Sequence, residues 1–145
     1  MSRHVITAFL GLVLFCFAAP AQALAKARVE VEIQRGSQKM NVFVNGKLQH
    51  TWAVSTGRKG FKTPSGAYKP TWMTKMWHSK QWHNAPMPHA IFFKDGYAIH
   101  GTNETRNLGR PASHGCVRLS PKNAAILFDL VKAQGEKKTK IVVTG

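Results

Sequence analysis

Apolar and polar residues alternate along two segments in the first third of the sequence. Residues 29–33 alternate valine or isoleucine with glutamate, and Met40, Val42 and Val44 continue with the same two-residue period. Successive side chains of a strand point to opposite faces of a sheet, so this period is typical of half-buried strands. The dipeptide Asn45-Gly46 follows directly and is a strong signal for a two-residue hairpin turn. We therefore predict two strands and a hairpin in this part of the chain.

The return strand of the hairpin is predicted over residues 47–55. Leu48, His50, Trp52 and Val54 recur with period two and would share one face of it. Because His50 lies among apolar neighbours on that face, we interpret it as a structural residue rather than a catalytic one.

The middle of the chain has a less regular pattern. Residues 56–66 form a loop rich in glycine and positive charge, without the spacing of a phosphate-binding P-loop, and residues 67–73 are predicted to re-enter a sheet. Trp72, Trp77 and Trp82 are five residues apart, which fits neither a helix face nor a strand face. We predict an ordered loop or lid here. Its rings either line a substrate groove or pack as a satellite cluster on the sheet.

Two further strands are predicted over residues 91–93 and 97–100, joined by a turn at 94–96. The second strand delivers His100 at its end. A polar loop, residues 101–112, follows it, and long loops between rigid elements are common places for functional residues.

A single helix is predicted near the end of the chain. Ser120 and Pro121 are suited to the N-cap and first helical position, and Gly135 to the C-terminal stop. The helix is expected over residues 122–134, and residues 140–143 form a last strand. The expected apolar stripe of the helix consists of Ile126, Leu127, Leu130 and Val131. Strands dominate this pattern, so the predicted fold class is mostly β, of the β-rich α+β type.

The first 23 residues are predicted to be a secretory signal peptide. A basic start is followed by an apolar run over residues 5–19 and by Ala21-Gln22-Ala23, an A-x-A cleavage pattern. The run is shorter than the roughly 20 residues that a membrane span needs. We therefore expect an exported domain, residues 24–145, in the periplasm or cell envelope, with no transmembrane segment after signal removal.

Cysteine usage gives the first indication of chemistry. Cys16 lies in the predicted signal peptide, so Cys116 is the cysteine of the expected mature domain. An unpaired cysteine in an exported protein has no disulfide explanation, which favours a reactive thiol. The other interpretation is a buried, inert thiol.

The formal charge of the chain is +15. Nucleic acid is the usual partner of so basic a protein, but the predicted export argues against it. Anionic polymers, acidic wall peptides and membrane surfaces are the expected targets. The alternative is a basic surface that only keeps the protein in solution.

The residue types for acyl transfer lie in two short segments, and twelve residues separate His100 in the first from Ser113 in the second. His100-Gly101 ends the predicted strand, and Ser113-His114-Gly115-Cys116-Val117-Arg118 follows the polar loop. A cysteine attacks as the thiolate, and an imidazole within reach is the usual means of forming one near neutral pH. The amides of Gly115 and Cys116 are expected to stabilise an oxyanion on the attacked carbonyl.

Neither a metal nor a cofactor is expected. His78, His83 and His89 are the available metal ligands, but they have no paired cysteines and no H-E-x-x-H pattern.

The segment that begins at His100 and the segment from Ser113 to Arg118 together resemble the signature of the L,D-transpeptidase catalytic domain, the YkuD family. The resemblance also includes Val54-Ser55-Thr56-Gly57, Thr63-Pro64-Ser65-Gly66 and Met87-Pro88. It implies a barrel-like or sandwiched mixed β-sheet with a helix after the catalytic cysteine. It also implies a cell-wall enzyme that acts on peptidoglycan stem peptides, with an amine of a second stem, a protein lysine or water as acceptor. Carbapenems are implied as covalent inhibitors.

The resemblance assigns a role to each motif residue. Cys116 is the nucleophile, His100 the general base, and the carbonyl of Gly101 orients the imidazole ring. His114 and Ser113 lie beside the cysteine with less defined roles. Gly115 contributes to the oxyanion hole. Arg118 either binds a substrate carboxylate or forms a structural ion pair.

Two alternatives to the transpeptidase stay open at this stage. The same acyl-enzyme gives an L,D-carboxypeptidase or an amidase if water is the acceptor. A non-catalytic wall-binding module would use the charge and the tryptophans instead. A papain-like protease is disfavoured because the local signature around its cysteine is missing.

Overall fold

The computed structural model describes residues 28–145, so the predicted signal peptide, residues 1–23, and Cys16 lie outside the described residues. The described part folds into two β-sheets and one α-helix. None of its helices is long and apolar enough to cross a membrane. The elements are β1 (Val29–Gln34), β2 (Lys39–Val44), β3 (Lys47–Ala53), β4 (Gly66–Tyr68), β5 (Trp72–Ser79), β6 (Ala85–Lys94), β7 (Tyr97–Gly101), β8 (Val117–Leu119), α1 (Pro121–Gln134) and β9 (Thr139–Thr144).

The first sheet has five strands in the order β3-β2-β1-β9-β4. The predicted hairpin turn is present, with Asn45 and Gly46 both at positive φ, 51° and 80°, as a type I′ turn requires. β9 pairs parallel to β1, so the last strand closes against the first described one. This arrangement confirms the mostly β, mixed-sheet prediction.

Strand β3 is shorter and less buried than predicted. It ends at Ala53, and Leu48 is 53% exposed rather than part of a buried face. The strand lies at the edge of the sheet, and its pairing with β2 shifts register between Val42 and Phe43. Such a bulge breaks the alternation of faces, so the end that carries Leu48 extends beyond the core. His50 stacks on Trp52, with 4.6 Å between ring centroids.

The second sheet has four strands in the order β5-β6-β7-β8. The predicted tryptophan loop is wrong for its first part, because Trp72 and Trp77 belong to strand β5. His89, in the partner strand, has φ +52°. Met87 before it and Ala90 after it belong to one apolar cluster although they are three residues apart, so the alternation of faces shifts by one residue here. Because β5 follows its partner strand, Trp72 and Trp77 lie on the same face of the sheet although they are five residues apart. The segment expected to be one strand over residues 67–73 is divided between β4 and the start of β5.

The main core lies between the two sheets and α1, which packs chiefly on β6 and β7. Ser120 caps the helix by accepting from Asn123 N–H at 3.2 Å, and Gly135 ends it at φ +96°. The buried stripe differs slightly from the predicted one, since Ile126 and Leu130 are only half-buried. The buried helical residues are Ala124, Leu127, Phe128 and Val131.

A smaller apolar cluster lies on the opposite face of the second sheet. It contains Met87, Ala90, Phe92 and Ala98, with Trp77 and Cys116 packed against them. Because β7 sends Ile99 into the main core and Ala98 to this cluster, the second sheet separates the core from the face that carries the cysteine.

Candidate active site

Strands β7 and β8 bring the predicted histidine and cysteine to the same face of the second sheet. The two strands are parallel, and His100 is the register partner of Arg118. Cys116 precedes Arg118 by two residues, so all three side chains point away from the main core. They line one cavity of about 790 Å³ together with Ser113 and His114. Among residues 28–145 no cluster of three or more metal-ligating side chains occurs, so His78, His83 and His89 do not come together as such a group.

His100 is buried, with 6% of its surface exposed. Its Nδ1 lies 2.8 Å from the carbonyl oxygen of Gly101. A carbonyl only accepts, so Nδ1 carries the proton in this hydrogen bond and Nε2 keeps its lone pair. Burial lowers the pKa of His100 from 6.5 to about 4, and the Gly101 hydrogen bond opposes that shift only in part. The imidazole is therefore a neutral base at neutral pH.

The Cys116 thiol is also neutral at rest. Burial raises the pKa of Cys116, while a backbone hydrogen bond from Ala98 and the charge of Arg118 act in the lowering direction without cancelling it. The surroundings of the sulfur therefore do not form the thiolate by themselves, and the expectation that the imidazole forms it stays a prediction.

Ser113 fixes the turn that precedes the cysteine. Its Oγ donates to the carbonyl of Cys116 at 2.6 Å and accepts from Gly115 N–H at 3.0 Å. This second bond corrects the expectation for Gly115, because an amide that donates to Ser113 does not face an oxyanion. Of the two amides predicted for that role, only Cys116 N–H is not engaged by Ser113.

Gly115 is required at its position by space and by backbone conformation. Its φ is +120°, and a Cβ atom would lie 2.6 Å from a ring carbon of Tyr97. Its carbonyl accepts from Thr63 Oγ1 at 2.7 Å, and the same hydroxyl accepts from Gly57 N–H at 2.9 Å. Thr63 is fully buried. It connects the glycine-rich, positively charged loop of residues 56–66 (the basic loop) to the turn of residues 113–116 (the cysteine turn).

Arg118 forms an ion pair in this structure. Its Nη1 lies 3.0 Å from Glu104 Oε2 in the polar loop, and its side chain is 18% exposed. This is the structural ion pair considered as one interpretation of the sequence. The guanidinium also lines the cavity, and it has further N–H donors besides the one bonded to Glu104.

His114 is held between two aromatic side chains. Its ring stacks on Trp82 with centroids 3.7 Å apart and meets Phe61 edge-on at 4.9 Å. Trp82 lies in the turn between β5 and β6, and Phe61 in the basic loop. Burial and the charges of Arg58 and Arg118 lower the pKa of His114. This ring links three segments around the cavity.

The three tryptophans line the cavity, and two of them also pack on the sheet, so the two alternatives left open by the sequence do not exclude each other. Trp72, Trp77 and Trp82 line the cavity, and Trp72 and Trp77 also pack on Phe92 of the sheet.

Sequence reasoning missed two residues that support the site. The sequence singles out Thr63 only as part of a family motif, and it gives no sign of a role for Gln38. Gln38 is buried, and its side-chain amide donates to Thr56 Oγ1 at 2.7 Å and accepts from Thr56 N–H at 2.9 Å. A polar residue next to an apolar strand gave no signal of a bond to a segment 18 positions away.

Comparison with known proteins identifies the same family as the sequence motifs. The family model of the YkuD L,D-transpeptidase catalytic domain matches residues 28–143. The putative L,D-transpeptidase YkuD of Bacillus subtilis (strain 168) is 23% identical over 105 residues, which cover 70% of this chain and 59% of that protein. The chain thus spans about three fifths of the length of that relative.

Two solved structures show the same fold. The L,D-transpeptidase from Stackebrandtia nassauensis superposes with a TM-score of 0.72 at 26% identity, over 87% of this chain and 59% of that one. The L,D-transpeptidase LdtMt1, solved in complex with imipenem, superposes with a TM-score of 0.71 at 22% identity, over 81% and 59%.

Proposed function

Because the chain belongs to the L,D-transpeptidase catalytic domain family, we propose that it is a peptidoglycan L,D-transpeptidase with Cys116 as its nucleophile. The sulfur attacks the carbonyl of the L-centre of diaminopimelate, the third residue of a stem peptide. The bond to the terminal D-alanine breaks, and a thioester forms on Cys116. An amine of a second stem or of a protein lysine then attacks the thioester, giving an amide and the free thiol.

His100 is the proton carrier in this proposal. Its Nε2 accepts the thiol proton as the sulfur attacks and returns it to the departing amine of D-alanine. The observation that carries the proposal is the 2.8 Å hydrogen bond from His100 Nδ1 to the Gly101 carbonyl. This bond leaves the other ring nitrogen, Nε2, as the basic one in a cavity that Cys116 also lines. The Gly101 carbonyl thereby has the role that an aspartate has in other triads.

The negative charge on the attacked oxygen needs donors that are already in place. Cys116 N–H is the backbone candidate, since Gly115 N–H is engaged by Ser113. Arg118 adds a fixed positive charge at the cavity wall, where it suits a carboxylate of the substrate. Ser113 and His114 act on the reaction by holding the turn in position.

Carbapenems are expected to acylate the same thiol. The relative LdtMt1 was solved in complex with imipenem, and the cavity of about 790 Å³ has room for a compound of that size. The predicted signal peptide supports an exported enzyme in the periplasm or cell envelope, with a role in cell-wall biogenesis and cell shape.

The direct test is incubation of the purified protein with disaccharide-tetrapeptides. We expect release of D-alanine and a product with the mass of a 3→3 cross-linked dimer, and neither with the Cys116→Ala variant. A trimmed disaccharide-tripeptide without dimer would replace the transpeptidase with an L,D-carboxypeptidase. The absence of D-alanine release would contradict the proposed function altogether.

A further inference from the structure

We propose that Trp72 is a stacking platform for the amino-sugar ring to which the stem peptide is attached. The inference rests on the proposed function and deepens it. It assigns a glycan subsite to one end of the cavity whose other end holds Cys116. The enzyme would then bind the sugar and the peptide of one substrate molecule at the same time.

The register of the second sheet places the platform and the nucleophile in one row. Trp72 pairs with Phe92, and Phe92 pairs with Ala98. Cys116 comes one residue before Val117, whose partner Ile99 follows Ala98. The row therefore crosses the sheet from Trp72 through Phe92 and Ala98 to Cys116. Three spacings between neighbouring strands put the two ends about 14 Å apart.

The platform is the indole ring of Trp72, one face of which packs on the ring of Phe92. The rings of Trp72 and Phe92 are parallel within 5°, with centroids 4.1 Å apart. Phe92 is almost fully buried, whereas Trp72 is 39% exposed. Trp77 stands edge-on at 5.2 Å from Trp72 and 6.2 Å from Phe92. A ring that covered the outer face of Trp72 would be roughly 9 Å from Phe92. Trp77 therefore flanks the stack and leaves that outer face open.

The length of the substrate matches the length of the row. Three extended residues separate the attacked carbonyl of a stem peptide from its N-terminus, and the lactyl group that joins the peptide to the sugar adds about one residue more. At 3.3–3.6 Å per extended residue, the sugar lies about 14 Å from the carbonyl. A peptide whose third carbonyl is at Cys116 and which runs along the row thus places its sugar at Trp72.

The chemistry of the platform suits a pyranose ring. One face of such a sugar consists of C–H groups, which pack against an aromatic ring and exclude water from it. Hydroxyl and acetamido groups at the rim of the sugar need hydrogen-bonding partners. Gln81, Asp95 and Asn103 line the same cavity and offer such groups. These three side chains are exposed, and a purely apolar ligand, such as a lipid chain, would make no hydrogen bonds with them.

The catalytic test compares two substrates within one protein preparation. The ratio of kcat/KM for the disaccharide-tetrapeptide to kcat/KM for the free tetrapeptide does not depend on the fraction of protein that is folded. We expect a ratio of about ten or more for the wild type, since one stacked ring contributes on this scale. The ratio should fall to about one in Trp72→Leu, which still covers Phe92 but has no flat ring, and stay high in Trp72→Phe. Leu48→Ala, which alters an exposed apolar residue in the other sheet, serves as the matched control.

A binding test separates the subsite from the reaction. The Cys116→Ala protein is titrated with the disaccharide of N-acetylglucosamine and N-acetylmuramic acid, and the indole N–H signals of Trp72 and of its neighbour Trp77 are followed by NMR. A saturable shift of both signals, with the Trp77 shift lost in Trp72→Leu, supports the platform, even if neither substrate is turned over and the proposed function fails. The absence of a shift, a wild-type ratio near one, or a response to lipid vesicles in place of the disaccharide would overturn it.

Discussion

His100 and Cys116 are both uncharged at rest, which gives the pair a defined sequence of events. Burial lowers the pKa of the imidazole and raises that of the thiol, so an ion pair would have to form in a site that disfavours charge. The Gly101 carbonyl holds the imidazole in the tautomer that accepts a proton. In the proposed reaction, charge is then created only when the substrate is in place and its carbonyl can receive the sulfur.

The buried imidazole also makes stability dependent on pH. The pKa of His100 is about 4 in the folded protein and 6.5 in the unfolded chain. Between these values the unfolded chain binds more protons, so the contribution of this residue is complete above pH 6.5 and is lost as the pH falls to 4. The loss amounts to about 3 kcal/mol. Between pH 7 and pH 4, the free energy of unfolding of His100→Gln should fall by about 3 kcal/mol less than that of the wild type, as measured by urea titrations. Equal losses in the two proteins would contradict a neutral, buried His100.

The residue types of the site could be predicted from the sequence, but the bonding of the turn could not. A cysteine and a histidine in motifs of known spacing identify the chemistry because few residue types perform it. Whether Gly115 N–H is free depends on the rotamer of Ser113. In that rotamer the hydroxyl bonds to both Gly115 N–H and the Cys116 carbonyl, and the residue types of the motif do not by themselves determine it.

At the scale of elements, the cysteine turn depends on the basic loop beneath it. Thr63 supplies the connection through one hydroxyl that bonds to Gly57 N–H and to the Gly115 carbonyl. Because the hydroxyl is buried, its removal would leave two polar backbone groups without a partner and away from water.

Thr63→Val keeps the shape of the side chain and removes only these bonds. We expect the free energy of unfolding to fall by about 2–6 kcal/mol, since each of the two unsatisfied groups costs about 1–3 kcal/mol. Thr51→Val is the matched control, because its hydroxyl bonds to Asn41 at an exposed position. Denaturant midpoints measure both changes. Equal, small effects would contradict the role of Thr63 as a connection.

The regular elements followed from local pattern, and the irregular ones did not. The Asn45-Gly46 hairpin and the helix cap at Ser120 depend on residues next to each other in sequence, and both are present. Strand β5 was missed because its two tryptophans have an odd spacing. The reason lies in the partner strand, where the positive φ of His89 shifts the faces.

At the scale of the whole molecule, the basic charge is largely unpaired. The sequence has 21 lysines and arginines against 6 acidic residues. Within residues 28–145 two ion pairs form, Arg118–Glu104 and Lys140–Glu30. The basic loop carries exposed Arg58, Lys59 and Lys62 next to the cavity-lining Phe61. A field of this sign attracts anionic wall polymers over about a Debye length.

Charge reversal in the basic loop should weaken binding to isolated cell walls. We expect Lys59→Glu with Lys62→Glu to reduce binding in cosedimentation, and more strongly at 20 mM than at 300 mM salt because the attraction is screened. Lys137→Glu with Lys138→Glu has the same charge change away from the cavity that contains Cys116 and should reduce binding less. Binding that does not respond to salt would contradict electrostatic targeting.

The central claim is that Cys116 is acylated with His100 as its base, and intact-protein mass spectrometry tests it most directly. Mixed with the disaccharide-tetrapeptide or with a carbapenem, the wild type should gain the mass of one acyl group, and Cys116→Ala should gain none. The adduct should form at least about 10²-fold more slowly in His100→Ala. It should form at the wild-type rate in His50→Ala, where the histidine stacks on Trp52 in the first sheet. An adduct in Cys116→Ala, or an unchanged rate in His100→Ala, would contradict the account.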